Sequence, residues 1–125
     1  MRIKADLVRD ILIFVEDNTD MTHWVSGNEL SDAVRYDDGD ITYHVRYLAE
    51  AGYIRTNHGV EIDDANFAII DLTPLGHKFT EDIRPNATWK KVKLTAKSIG
   101  SFSLDTLQKI AVQLISSTIM LNQQQ

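Results

Sequence analysis

Apolar residues recur at helical spacing in six stretches of the chain. Within residues 4–17 they fall at every third or fourth position and make one continuous apolar face, which is the pattern of an amphipathic helix. The same spacing predicts a short helix after Ser26, a third from about Asp40, a fourth from Thr73-Pro74, a fifth over residues 88–99 and a sixth from Ser103 to about Leu121. The chain is therefore expected to be mainly helical.

Capping residues mark the ends of these helices. Ser26 with Glu29 three positions later fits a capping box, and Thr73 supplies a capping hydroxyl before a proline at the first helical position. Gly52 and Gly100 stand where a left-handed residue commonly ends a helix. The same pattern predicts which side chains of these helices point inward. They are Leu30, Ala33 and Val34 in the second helix, and Ile41, Val45, Leu48 and Ala49 in the third. They are Leu75, Phe79 and Ile83 in the fourth helix, and Trp89, Val92, Ala96 and Ile99 in the fifth.

Two short segments between the third and fourth helices favour strands. Residues 53–56 and 67–72 are separated by the turn-forming Asn57-His58-Gly59 and a polar loop, which predicts a hairpin. The order helix, short helix, turn, helix, hairpin is that of a winged helix-turn-helix, with the third helix as recognition helix and residues 53–72 as wing. We expect a mainly α fold with a small antiparallel β-hairpin (α+β), as a single domain over 1–125, with a winged-helix core over 1–83 and a C-terminal helical extension over 84–125.

Several segments also resemble one known family. The stretches that carry the resemblance are DLVRDIL at 6–12, YHVRYLAEAGYI at 43–54, LTPLGHKF at 72–79, and DIR at 82–84 followed by TWKKVK at 88–93. They look like the YjcQ-like family, a domain-of-unknown-function family of Gram-positive bacteria and their phages, and the resemblance runs from Lys4 to about Leu114. It implies a winged-helix fold and a phage or prophage setting, and it implies no chemistry. Residues 57–68 are the least family-like part.

Composition and charge narrow the function classes. The 125 residues contain no cysteine, which excludes a disulfide framework and a Cys nucleophile. No apolar run approaches the length of a membrane helix, and no export signal is evident, so a cytoplasmic location is expected. Residues 1–83 hold seven Lys/Arg and 17 Asp/Glu, whereas residues 84–125 hold six Lys/Arg and one Asp. Any nucleic-acid binding must therefore depend on a local basic patch.

The third helix carries the first candidate contacts to DNA. Its outward positions are predicted to be Thr42, Tyr43, Arg46, Tyr47 and Glu50, with His44 at the margin. Arg46 can reach a guanine edge, and Thr42 and Tyr43 can touch phosphate or a thymine methyl group. The wing adds Arg55 and His58.

Acidic residues oppose this interpretation. Asp37, Asp38 and Asp40 lie at the N-terminal end of the third helix, where carboxylates suit the helix dipole but repel phosphates.

The fifth helix carries the densest basic segment. Lys90, Lys93 and Lys97 share one face, with Lys91 beside them. They form either a phosphate-binding face or a solvated helix surface.

The last helix carries an apolar stripe at heptad spacing, formed by Leu104, Leu107, Ala111, Leu114, Thr118 and Leu121. Such a stripe is a dimer seam or packs on its own domain. The dimer hypothesis places Leu107, Ala111, Leu114, Thr118 and Leu121 in a homodimer interface.

No motif indicates an enzyme, a cofactor or a metal. The four histidines lack the spacing of a helical metal pair, and nucleophile-elbow and phosphate-loop motifs are absent. The aromatic residues Phe14, Trp24, Phe79, Trp89 and Phe102 are expected in the core. Two hypotheses remain: a phage-associated winged-helix protein that binds double-stranded DNA, or a non-catalytic interaction module whose acidic surface meets a protein partner.

Overall fold

The apolar periodicities fold into six helices and three short strands in the part of the chain that the computed structural model describes, residues 1–57 and 66–123, with side chains up to Leu121. The elements are α1 (Ala5–Asn18), β1 (Val25–Ser26), α2 (Gly27–Ala33), α3 (Asp38–Glu50), β2 (Ile54–Thr56), β3 (Ala68–Leu72), α4 (Pro74–Ile83), α5 (Asn86–Ile99) and α6 (Leu104–Gln123). The expected α+β class, mainly helical with a small antiparallel sheet, is confirmed.

The sheet has one strand more than the predicted hairpin. Its order is β1-β3-β2, with both pairs antiparallel. Val25 of β1 pairs with Ile69, and Ile54 of β2 pairs with Leu72. The two-residue β1 is too short for an alternating pattern, so the sequence gives no periodic signal for it.

The predicted helix-capping residues adopt the expected geometry in the structure. Ser26 and Glu29 make the reciprocal bonds of a capping box, and the Thr73 hydroxyl accepts from the main-chain N–H of Gly76. Gly52 and Gly100 both adopt a φ of 86°, in the left-handed region open to glycine. The third helix begins at Asp38, two residues before the predicted cap at Asp40, and its N-cap is Asp37.

One apolar cluster runs through the fold, from the inward face of α1 to Leu107 and Ala111 of α6. Helix α4 contacts α1, α5 and α6, and α5 packs along α6. The helices of residues 84–123 therefore share their core with the preceding part of the chain.

Several side chains predicted to be inward are exposed instead: Trp24, Ala33, Leu75, Ile99 and Phe102. Ile99 occupies the last turn of α5 and is 62% exposed. These residues lie at the ends of elements or between them.

Candidate nucleic-acid interface

Three of the predicted contact residues share the partly open face of α3. Tyr43, Arg46 and Tyr47 are all half-buried. The guanidinium carbon of Arg46 lies 5.3 Å from the centre of the Tyr43 ring, within cation–π range. Its Nε lies 3.9 Å from a carboxylate oxygen of Glu50, one turn further along the helix. Arg46 is therefore held along its own helix.

Thr42 and His44 are buried, which corrects the prediction that they face outward or sit at the margin. Thr42 is 5% exposed and His44 is fully buried. Helix α3 packs against α1, α2 and β2 at once, so its buried arc is wider than the apolar stripe indicates. Thr42 is removed from the set of candidate contacts.

The buried His44 links α3 to the start of the chain. Its Nε2 accepts from the main-chain N–H of Lys4 at 2.9 Å, and its Nδ1 donates to the main-chain carbonyl of Asp40 at 2.7 Å. Because one ring nitrogen must accept and the other must donate, the imidazole is neutral. Burial lowers the pKa of His44 below its ordinary value.

Two of the three carboxylates at the N-terminal end of α3 have a partner that reduces their exposed negative charge. The Lys4 ammonium pairs with Asp40, and its hydrogen bond to that carboxylate raises the pKa of Lys4. The Ser31 hydroxyl donates to Asp38. Asp37 is exposed.

A groove lined by lysines adjoins this end of α3. Lys4, Lys90, Lys93 and Lys97 surround it, and its volume is about 560 Å³. Its apolar lining is formed by Ile3, Ala5, Tyr36, Leu94 and Phe102. We call this feature the lysine groove. It gathers four cations around one carboxylate, that of Asp6, on a chain whose net charge is −5.

The Asp6 carboxylate accepts hydrogen bonds from two neighbours in the lysine groove. Its Oδ1 accepts from the Trp89 indole at 2.8 Å and from the Lys93 ammonium at 3.0 Å. Partial burial alone would raise the pKa of Asp6, but these two hydrogen bonds outweigh it and the pKa is lowered. Lys93 also lies 5.9 Å from the centre of the Trp89 ring. Lys93 is thus partly neutralised, whereas Lys90 and Lys97 form no ion pair with any residue in the described ranges.

In the segment predicted to be a wing, the one candidate cation that the structure describes is already paired. Arg55 donates to the Asp71 carboxylate at 2.8 Å and to the main-chain carbonyl of Leu72, so its charge is matched across the two strands. His58 lies outside the described residues.

The predicted dimer stripe divides into two parts. Leu107 and Ala111 are fully buried in the core of their own chain, which corrects their assignment to a homodimer interface, because α4 and α5 already cover that side of α6. Leu114 is partly buried against the same core. Thr118 and Leu121 are exposed.

Sequence reasoning did not connect the first residues of the chain with α5. Ile3, Lys4 and Tyr36 meet Leu94 and Phe102 only in the folded chain. The spacing of the lysines on α5 predicted that they share one face. It carried no information about which part of the chain packs opposite that face.

Other site types find little support in the described ranges. Among residues 1–57 and 66–123, no three His, Asp or Glu side chains lie close enough to hold a metal ion. In the same part of the chain, no helix has both the length and the apolar character required to span a membrane.

A protein-family model covers most of the chain. The family model described as "Hypothetical protein (DUF2513)" matches residues 2–103. No curated protein and no solved structure matches the chain.

Proposed function

The chain belongs to the DUF2513 family, whose description names no activity, and we propose from its surface that it is a winged-helix protein that binds duplex DNA. The order α1-β1-α2-α3-β2-β3, with a sheet of order β1-β3-β2, supports the winged-helix assignment, with α3 as recognition helix. The YjcQ-like resemblance and its phage or prophage setting are part of the same proposal.

The observation that carries DNA binding is the position of the lysine groove beside α3. Lys4 lines the groove, pairs through its side chain with Asp40, and bonds through its main chain to His44. Phosphate contacts supply most of the affinity of DNA-binding proteins and fix their orientation on the duplex. Lys90 and Lys97 are the cations best suited to this role, because neither has an acidic partner within the described ranges.

The open face of α3 then supplies contacts to bases or backbone. Tyr43, Arg46 and Tyr47 are placed for this, and Arg46 must leave Glu50 to reach a base. An ion pair one helical turn apart contributes only about 0.3–0.5 kcal/mol, whereas a bidentate guanine contact contributes about 1–3 kcal/mol of discrimination against the wrong base. The Arg46–Glu50 pair is therefore weak compared with the specificity that a guanine contact would give.

A protein partner is the second candidate, and the pairing of the arginines favours it. Arg46 is held by Glu50 and Tyr43, and Arg55 is held by Asp71, so the α3 face and the strands offer few free cations. Tyr and Arg side chains are enriched at the centres of protein interfaces. In this alternative, the acidic surface of residues 1–83 meets a host or phage protein.

The test is a fluorescence-anisotropy titration of labelled duplex DNA with the full chain at low and near-physiological salt. Each lost phosphate contact makes the negative slope of log K against log salt shallower by about 0.9, so the double variant Lys90→Ala/Lys97→Ala is expected to make it shallower by about 1.8. The matched control is Lys78→Ala/Lys91→Ala, which removes the same charge from two exposed lysines that do not line the lysine groove and is expected to keep most of the slope.

Two results would contradict the proposal. Equal losses in both double variants would show that net charge, rather than the lysine groove, governs binding. No binding of the unmodified chain at low salt would favour the protein-partner candidate.

A further inference from the structure

The lysine groove combines its cations with an apolar lining that stays open to solvent. Leu94 and Phe102 of this lining are 60% and 36% exposed, and Tyr36, which lines the same groove, is half-buried. Contacts to DNA phosphates require only cations or hydrogen-bond donors, so the duplex contacts proposed above leave this apolar surface without a partner. A ligand that fills the groove must therefore carry negative charge and apolar surface together.

Cationic and apolar side chains alternate along the α5 side of the groove. At a rise of about 1.5 Å per residue, Leu94 lies about 6 Å beyond Lys90 and about 4.5 Å before Lys97 along the helix axis. At about 3.6 residues per turn, all three side chains project within about 60° of one another. Neither lysine has an acidic partner within the described ranges, so an apolar side chain stands between two available cations.

The segment that carries Phe102 is fixed on both sides. Before it, the main-chain N–H of Ser101 donates to the main-chain carbonyl of Ala96 at 3.1 Å. After it, the Ser103 hydroxyl accepts from the main-chain N–H of Thr106 at 3.1 Å. The aromatic ring is therefore carried by a short, hydrogen-bonded link, which lowers the entropy cost of binding a ligand against it.

We propose that the lysine groove binds single-stranded DNA, with phosphates on Lys90 and Lys97 and a base against Leu94 and Phe102. Proteins that bind single strands combine a positively charged groove with aromatic side chains on which bases stack. A strand brings one phosphate and one base per nucleotide, which matches the alternation along α5. The inference rests on the proposed function for the assignment of the lysines to phosphates, and it adds the bases as a second source of affinity.

A comparison of two labelled strands tests whether the groove contacts bases. One is an oligothymidylate, and the other is an abasic strand of the same length and charge. Each is titrated with the full chain at low salt and followed by fluorescence anisotropy. The oligothymidylate is expected to bind at least about fivefold more tightly, which is the effect of stacking one base.

Variants in the apolar lining test where the bases lie. Leu94→Ala and Phe102→Ala are each expected to reduce the preference for the oligothymidylate and to leave the affinity for the abasic strand unchanged. Leu75→Ala and Trp24→Ala are the matched controls, since each removes an exposed apolar side chain outside the lysine groove; both are expected to keep the preference. Leu94→Ala changes only an exposed side chain of α5, so its result does not depend on whether Phe102→Ala folds.

Three results would overturn the proposal: no binding of either strand, equal affinity for the two strands, or a preference that survives both lining variants. Equal affinity would show that the groove recognises charge alone, as it would in contact with an acidic protein segment. The duplex titration described above separates the two proposals. Absence of duplex binding with the strand preference intact would contradict the proposed function but not this inference, and the opposite result would contradict this inference alone.

Discussion

The main-chain N–H of Lys4 donates to Nε2 of His44 at 2.9 Å, across 40 positions of sequence. This bond fixes the first residues of the chain against α3. The Lys4 side chain then reaches both the lysine groove and Asp40. A buried histidine thus holds a lysine at the place where the proposed phosphate contacts meet α3, the proposed recognition helix.

The first prediction is that stability falls as pH decreases below about 6.5. Burial lowers the pKa of His44 in the folded chain, so the unfolded chain takes up a proton first and the free energy of unfolding decreases. Protonation would also place a proton on Nε2, facing the Lys4 N–H. Above the ordinary pKa of 6.5 the imidazole is neutral in both states and this contribution is complete.

The measurement is chemical denaturation at several pH values, for the unmodified chain and for His44→Gln. One proton contributes a slope of at most about 1.4 kcal/mol per pH unit, and the variant is expected to lose this part of the slope. His23→Gln, at an exposed histidine, is the control. Parallel curves for the unmodified chain and His44→Gln would contradict the assignment.

The second prediction concerns two helical glycines with different surroundings. A Cβ at Gly76 would collide with the main-chain carbonyl of Tyr53, whereas a Cβ at Gly39 would meet nothing within 4 Å. Gly76→Ala is expected to cost about 1–3 kcal/mol by overpacking, because the opposing atom belongs to backbone. Gly39→Ala is expected to stabilise the chain by up to about 1 kcal/mol. Thermal or chemical unfolding measures both, and equal effects would contradict this explanation.

Features set by a few adjacent residues were predictable from sequence. The Ser26 capping box, the Thr73 cap and the left-handed Gly52 and Gly100 depend on local chemistry, and so do the helices that they bound. The short β1 was missed because its pairing with Ile69 is a tertiary property.

The candidate site was predictable only in part, because its surface depends on which elements meet. Thr42 has the sequence position of an outward residue, but α3 is covered on several sides and buries it. The lysines of α5 were visible in the sequence. The segment that faces them across the groove, Ile3 to Asp6, is nearly 90 positions away and carries no periodic signal.

The third prediction is that Asp6→Asn strengthens DNA binding. The change removes the carboxylate that pairs with Lys93, while the amide oxygen can still accept from the Trp89 indole. One more lysine is then available, so the slope of log K against log salt is expected to steepen by about 0.9. Glu81→Gln, an equal charge change at an exposed position of α4, is the control in the anisotropy titration. An equal response of the two variants would show that Lys93 was not released into the interface.

The fourth prediction compares a core leucine of α6 with a surface leucine of α5. Leu107 of α6 is fully buried, whereas Leu94 of α5 is 60% exposed. Leu107→Ala leaves a cavity and is expected to lower the free energy of unfolding by about 2–5 kcal/mol, whereas Leu94→Ala is expected to change it by less than about 0.5 kcal/mol. Denaturant titrations at one low protein concentration measure both values without a contribution from association. A small effect of Leu107→Ala would mean that this side of α6 is not core, and the seam predicted from its heptad spacing would again be available to a partner.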